Sequence, residues 1–132
     1  MIQERLNVTT SQEPTPLTPA VRRFKDPHYQ NRAPNLQVLR DQIDALDSQI
    51  VALMAERALC VRDATRFKKD AFQVAAPARQ AQVFQKVRNL ASEHAANFPG
   101  FENIVASAYR SMVAGFIAAE QELFAQTEEV KS

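Results

Sequence analysis

The sequence predicts an all-α fold of one long helix and two shorter ones, paired as an intertwined helical homodimer. Apolar residues recur at alternating steps of three and four from Leu36 onward, which is a helical period. No segment alternates apolar and polar residues as a half-buried strand would. Proline and glycine are scarce after Pro34, so long helices can run without interruption.

Residues 1–34 contain five of the seven prolines and lack any apolar period. This composition predicts a flexible or extended N-terminal arm, followed by a helical domain over residues 35–132. Within the arm, Arg22, Arg23 and Lys25 form a small basic cluster. The cluster could bind an anion, although a solvated tail is the simpler interpretation.

The first helix is predicted from about Pro34 to Lys69, with Asn35 as its N-cap. This length corresponds to roughly 50 Å. Its apolar residues form a heptad seam, in which Arg57 fills the one slot where an apolar residue is missing. The seam consists of Leu36, Leu39, Ile43, Leu46, Ile50, Leu53, Cys60, Ala64 and Phe67.

Residues 70–76 are predicted to break the helix, and Pro77 suits the first turn of a second helix that fades near Asn97. Phe98-Pro99-Gly100 is a stop signal. A third helix follows, with apolar residues in steps of three and four at Phe101, Ile104, Val105, Ala108, Met112, Phe116, Ala119 and Leu123. Two shorter helices cannot cover the long one, so we expect a second copy of the chain to bury the rest of the seam.

Composition narrows the classes of function. Lys and Arg total 16 against 15 Asp and Glu, so bulk charge does not indicate a nucleic-acid partner. No segment approaches the length of a membrane span, and the N-terminus does not resemble a signal peptide, so we expect a cytoplasmic protein. His28, His94 and Cys60 are isolated from one another in sequence, so we expect no metal and no cofactor.

The cations of the first helix are the most informative residues. Arg57 and Lys68 are 11 residues apart and would share one helical face, with Val61 and Ala64 between them. A buried guanidinium is costly without a partner, so Arg57 implies either an anion site or a salt bridge that fixes register. Arg79 lies in the first turn of the second helix, where the helix dipole disfavours a cation unless an anion is near.

Four motifs occur in order over about residues 35–127: LQVLRDQIDALDSQIVALMAER, ATRFKK, APARQ and FIAAEQELF. Together they resemble the all-helical chorismate mutases and the related isochorismate pyruvate lyases. The resemblance implies a substrate site built from Arg40, Arg57, Lys68, Arg79 and Gln121, without metal or cofactor. It also implies interlocked dimers in which Arg40 reaches into the partner's site. The spacing agrees with this arrangement. Arg40 and Arg57 lie about 25 Å apart along one helix, so they cannot both bind one small molecule from the same chain. An antiparallel partner would bring Arg40 of one chain near Arg57 of the other.

The resemblance further implies the rearrangement of chorismate to prephenate, in aromatic amino-acid biosynthesis. This reaction is concerted, so the enzyme needs to hold the folded conformer and to stabilise charge on the ether oxygen. Arg40 and Arg57 would bind one carboxylate, and Arg79 would bind the other end of the dianion. Lys68 and Gln121 would donate to the ether oxygen.

Three positions depart from the pattern of many mutases. Gln80 replaces an acid that binds the substrate hydroxyl, Ala76 stands where some carry Asp, and Ile117 stands where a small polar residue is common. The segment RFKKDAFQVAAPAR resembles the lyases, which convert isochorismate to salicylate and pyruvate. Gln80 favours the mutase, because its amide can still form a hydrogen bond with the substrate hydroxyl. A non-catalytic helical dimerisation module is the third alternative.

Overall fold

The computed structural model describes residues 12–131, and all regular secondary structure in this range is helical. The fold class predicted from sequence, with one long and two shorter helices, is therefore confirmed for these residues; the first eleven residues of the predicted arm lie outside them. The elements are α1 (Leu36–Ala64), a 3-10 turn (Thr65–Phe67), α2 (Ala71–Ala75), α3 (Pro77–Ser92), a second 3-10 turn (Ala95–Asn97) and α4 (Phe101–Phe124).

The chain divides into two compact units, Met1–Leu53 and Met54–Ser132. In the first unit, residues 12–34 form no helix or strand. The backbone N–H of Gln37 donates to the carbonyl of Pro16 at 3.1 Å, which ties this segment to the start of α1. Asn35 accepts a hydrogen bond from the N–H of Val38 at 3.0 Å, so the predicted N-cap is confirmed.

The α1 residues of the first unit leave their apolar seam uncovered in the single chain. Ile43, Leu46, Ile50 and Leu53 are each between 52% and 64% exposed. None of the residues of α1 is buried. A contiguous apolar stripe of this kind is typical of a surface that another protein chain covers.

The helix α1 ends five residues before the predicted boundary at Lys69. At the end of α1 the hydroxyl of the buried Thr65 lies 3.1 Å from the carbonyl of Val61 and 3.2 Å from Oε2 of Glu120, and its single proton is donated to one of the two at a time. Asp70 then caps α2 by accepting from the N–H of Gln73 at 2.9 Å. Lys68 therefore lies in extended backbone (φ −107°, ψ 139°), and the expectation that it shares a helical face with Arg57 is wrong.

The second unit is built around the pairing of α3 with α4. Pro77 is the first residue of α3, as predicted, and Gly100 precedes α4 in the left-handed conformation (φ 74°) that favours glycine. The core contains Val74 of α2, together with Val87, Ala91, Ala106 and Val113. Along α4 the buried residues recur every seven positions, at Ala106, Val113 and Glu120. The buried face of this helix thus differs from the predicted apolar seam, three of whose residues, Ile104, Ala108 and Ala119, are exposed.

Among residues 12–131, no helix is both long enough and apolar enough to cross a lipid bilayer.

Candidate functional site

A cavity of about 300 Å³ lies within the second unit, where the end of α1, α2, the start of α3 and the second half of α4 meet. Its walls are largely apolar. They include Val61, Val74, Val83, Val113 and Ile117. A concave, mostly apolar site with a few polar groups is typical of a pocket for a small molecule.

The charged lining of this cavity is predominantly cationic. Arg57, Lys68 and Arg79 contribute three positive charges and Glu120 contributes one negative charge, which gives a net charge of +2. The structure thus brings together three cations that the sequence analysis placed in one site. Arg79 is exposed and reaches Gln82 at 3.5 Å, so its guanidinium is only loosely held. The net charge suits a dianionic ligand.

Arg57 is half-buried beside two aromatic rings of α4. Its guanidinium carbon lies 5.3 Å from the ring centroid of Phe116 and 6.0 Å from that of Tyr109. No hydrogen bond or ion pair joins Arg57 to any other residue between 12 and 131. Among these residues the salt-bridge interpretation of Arg57 therefore has no support, and the side chain lines the cavity without a carboxylate partner.

Lys68 forms an ion pair with a carboxylate that the sequence analysis did not select. Its Nζ lies 3.1 Å from Oε2 of Glu120, whose side chain is only 5% exposed. The same oxygen accepts from the hydroxyl of Thr65 at 3.2 Å. The two donors fix the carboxylate, and the carboxylate in turn holds the ammonium at the cavity wall.

The junction between α2 and α3 shapes one side of the cavity. Ala76 adopts the left-handed conformation (φ 45°, ψ 59°), which turns the chain sharply into α3. Gln80 donates from Nε2 to the carbonyl of Ala75 at 2.7 Å. Because this bond uses the amide nitrogen, Oε1 of Gln80 remains as a hydrogen-bond acceptor at the cavity.

Two predicted site residues are not among those that line the cavity. Gln121 donates from Nε2 to the carbonyl of Ala71 at 3.0 Å, and its neighbour Glu120 occupies the cavity wall instead. Arg40 belongs to the first unit. Cys60, by contrast, is exposed and lines the cavity. A signal for Glu120 did exist in the sequence, because it lies seven residues after Val113 and four after Phe116 on one helical face.

Comparison with known proteins identifies one family. The family described as chorismate mutase type II matches residues 39–121, which include α1 from its fourth residue and most of α4. Neither the curated proteins nor the solved structures give a match. The matched range covers well over half of the chain and includes every charged residue that lines the cavity. The chain belongs to the all-helical chorismate mutase family.

Proposed function

We propose that the protein is a chorismate mutase, an isomerase that converts chorismate to prephenate. One observation carries this proposal: Arg57, Lys68 and Arg79 surround a single cavity of about 300 Å³ whose lining has a net charge of +2. Chorismate is a dianion with two carboxylates and an enol ether. A cavity that offers separate cations is suited to hold both carboxylates at once.

The proposed reaction makes limited chemical demands on the protein. In a concerted rearrangement, the ether C–O bond breaks as a new C–C bond forms, and no proton is transferred. Catalysis then depends on holding the folded conformer and on stabilising the negative charge that develops at the ether oxygen. Cations at the walls of a largely apolar cavity can perform both tasks.

We assign roles by position at the cavity. Arg57 binds one carboxylate and Arg79 binds the other end of the dianion. Lys68 donates to the ether oxygen, since its ammonium is held in place by Glu120 at 3.1 Å. Gln80 accepts a hydrogen bond from the substrate hydroxyl through Oε1, because its amide nitrogen is already bonded to Ala75.

In this assignment Gln121 does not bind the ligand, and Glu120 has a supporting role at the cavity. Gln121 is bonded to the backbone of α2, whereas Glu120 lines the cavity and contacts Lys68. An ionised carboxylate cannot donate to an ether oxygen, so we propose that Glu120 orients Lys68 rather than binding the ligand.

We also propose that the active protein is a homodimer in which Arg40 completes the partner's site. The apolar stripe Ile43, Leu46, Ile50 and Leu53 supports this proposal, because each side chain is at least 52% exposed in the single chain. Burying such a stripe against a second copy would contribute about 25 cal/mol per Å² of apolar surface. Arg40 is half-buried at the same end of α1 and does not line the cavity of its own chain.

Product identification tests the proposed reaction. The purified protein is incubated separately with chorismate and with isochorismate, and the products are identified by chromatography. We expect prephenate from chorismate. Prephenate alone supports the mutase. Salicylate and pyruvate from isochorismate would assign the protein to the lyases instead, also where some prephenate forms from chorismate, because a lyase can retain mutase activity. Turnover of neither compound would support a non-catalytic dimerisation module.

A further inference from the structure

We propose that Phe116 and Tyr109 form an aromatic platform that positions the guanidinium of Arg57 for a ligand carboxylate. The proposal rests on the proposed function, since it assigns Arg57 to the substrate. It adds two positioning residues that contact the cation: Tyr109, which does not line the cavity, and Phe116, which also lines it.

The platform follows from the spacing of residues on α4. Tyr109 and Phe116 are seven residues apart, so both rings lie on one face of the helix. Val113 lies between them and is 7% exposed, which anchors this face in the core of the second unit. Both rings are half-buried, and their centroids lie 6.0 Å and 5.3 Å from the guanidinium carbon.

Aromatic rings hold a guanidinium without using its hydrogen-bond donors. The attraction acts between the positive charge and the π system, so the N–H groups stay available for a planar, two-oxygen contact. A carboxylate side chain of the protein, by contrast, would occupy the N–H donors that the ligand needs. The cavity has one cation of each kind. The ammonium of Lys68 is paired with the carboxylate of Glu120, whereas the guanidinium of Arg57 lies beside the rings of Phe116 and Tyr109.

Removal of the platform should weaken substrate binding more than it slows the chemical step. A carboxylate is bound in both the ground state and the transition state, so its loss raises KM and leaves kcat nearly unchanged. For Phe116→Leu, which keeps an apolar side chain but removes the ring, we expect KM for chorismate to rise about three- to tenfold. We expect kcat to stay within about twofold of the wild-type value.

Two further variants separate positioning from packing. Phe116→Tyr keeps the ring face and should retain the wild-type KM. Phe124→Leu removes a half-buried ring from the same helix without contact to the cavity, so it reports the general cost of losing a ring from α4. Nuclear magnetic resonance of the ligand-free protein provides a readout that does not depend on activity. The side-chain protons of Arg57 should be shifted by the nearby rings, and this shift should shrink in Phe116→Leu alone.

The outcomes are distinguishable. A raised KM in Phe116→Leu together with a smaller ring-current shift of Arg57, and wild-type values in Phe116→Tyr and Phe124→Leu, supports the platform. Because Phe116 also lines the cavity, a raised KM with an unchanged shift of Arg57 would mean a direct contact between ring and ligand and overturns it. An unchanged KM in Phe116→Leu overturns it, as does a rise of equal size in Phe124→Leu. If the wild-type protein neither converts nor binds chorismate, the proposed function fails. The ring-current shift of Arg57 then decides the platform alone, and its absence in the wild-type protein overturns the proposal.

Discussion

The pair formed by Lys68 and Glu120 connects stability to catalysis at the level of single residues. Glu120 is 4% exposed and receives hydrogen bonds from Lys68 and Thr65. Removing the ammonium would leave a buried carboxylate with a single neutral donor. A substitution at Lys68 therefore has two consequences, which need separate measurements.

We expect Lys68→Ala to lower kcat for chorismate by about 100-fold or more, because it removes the donor to the ether oxygen. It should also destabilise the protein by about 1–3 kcal/mol, since Glu120 loses its charged partner. Steady-state kinetics and urea unfolding measure the two effects.

The double variant Lys68→Ala/Glu120→Gln is the matched control. Its amide oxygen still accepts from Thr65, and no uncompensated charge remains in the buried position. We expect it to recover most of the lost stability while kcat stays low. Recovery of kcat together with stability would contradict the catalytic assignment of Lys68.

The residues of the site differ in how visible they are in the sequence. Arg57 stands out because a cation interrupts an apolar period, and Arg79 because it follows the proline that begins a helix. Glu120 is harder to recognise, because its position on the helical face of Val113 and Phe116 is the only signal and glutamate is common on exposed helix faces. Its burial depends on how α4 is rotated against α2 and α3, and this rotation follows from packing between distant segments.

At the level of elements, the junction of α2 and α3 stores backbone strain. Ala76 has a φ of 45°, and a non-glycine residue in this region costs roughly 1–2 kcal/mol. Glycine adopts the conformation freely but loses more entropy on folding, by about 0.5–1 kcal/mol. We expect Ala76→Gly to stabilise the protein by about 0.5–1 kcal/mol. Thermal unfolding measures this change, and a lower midpoint would contradict it.

The short helix α2 is held to α4 by the hydrogen bond from Gln121 to the carbonyl of Ala71. This bond predicts that Gln121→Ala destabilises the second unit by about 1 kcal/mol. KM and kcat for chorismate should stay within about threefold of wild type, because the side chain does not line the cavity. Kinetics of this variant decide between the anchoring role and the ligand role that the family resemblance implied. A loss of about 100-fold in kcat would restore the ligand role.

Helix starts were easier to predict than helix ends. Asn35, Pro77 and Gly100 each act through local geometry, so the sequence indicates them directly. The end of α1 does not depend on local geometry alone. Its apolar period continues through Phe67, but Thr65, the first residue after the helix, is buried beside Glu120, 55 residues further along the chain. Long-range contacts of this kind are not visible in a local pattern.

At the level of the whole molecule, the proposed dimer makes each site depend on two chains. Arg40→Ala should lack the cation that a chain supplies to its partner, and Arg57→Ala should lack the cation of its own site. We expect each variant alone to have less than about 1% of the wild-type kcat/KM, because each lacks a cation that binds a substrate carboxylate.

Mixing the two variants after partial unfolding and refolding tests the exchange. Half of the dimers would then carry one intact site, which gives about a quarter of wild-type activity. The control is Ile50→Glu in both variants, which places a charge on the exposed apolar stripe and should prevent pairing. Sedimentation analysis of that control should detect monomers. Mixed variants that stay inactive, despite forming dimers, would contradict the exchange of Arg40.

Cys60 provides a single position for chemical labelling at the cavity. It is the only cysteine of the chain, it is exposed, and it lines the cavity one turn of α1 beyond Arg57. A thiol-reactive fluorophore would therefore attach at one position, without any engineered mutation. Its emission, or the slowing of its attachment by an added compound, would report occupancy of the cavity directly. Collections of dicarboxylates could then be ranked by affinity before any turnover is measured.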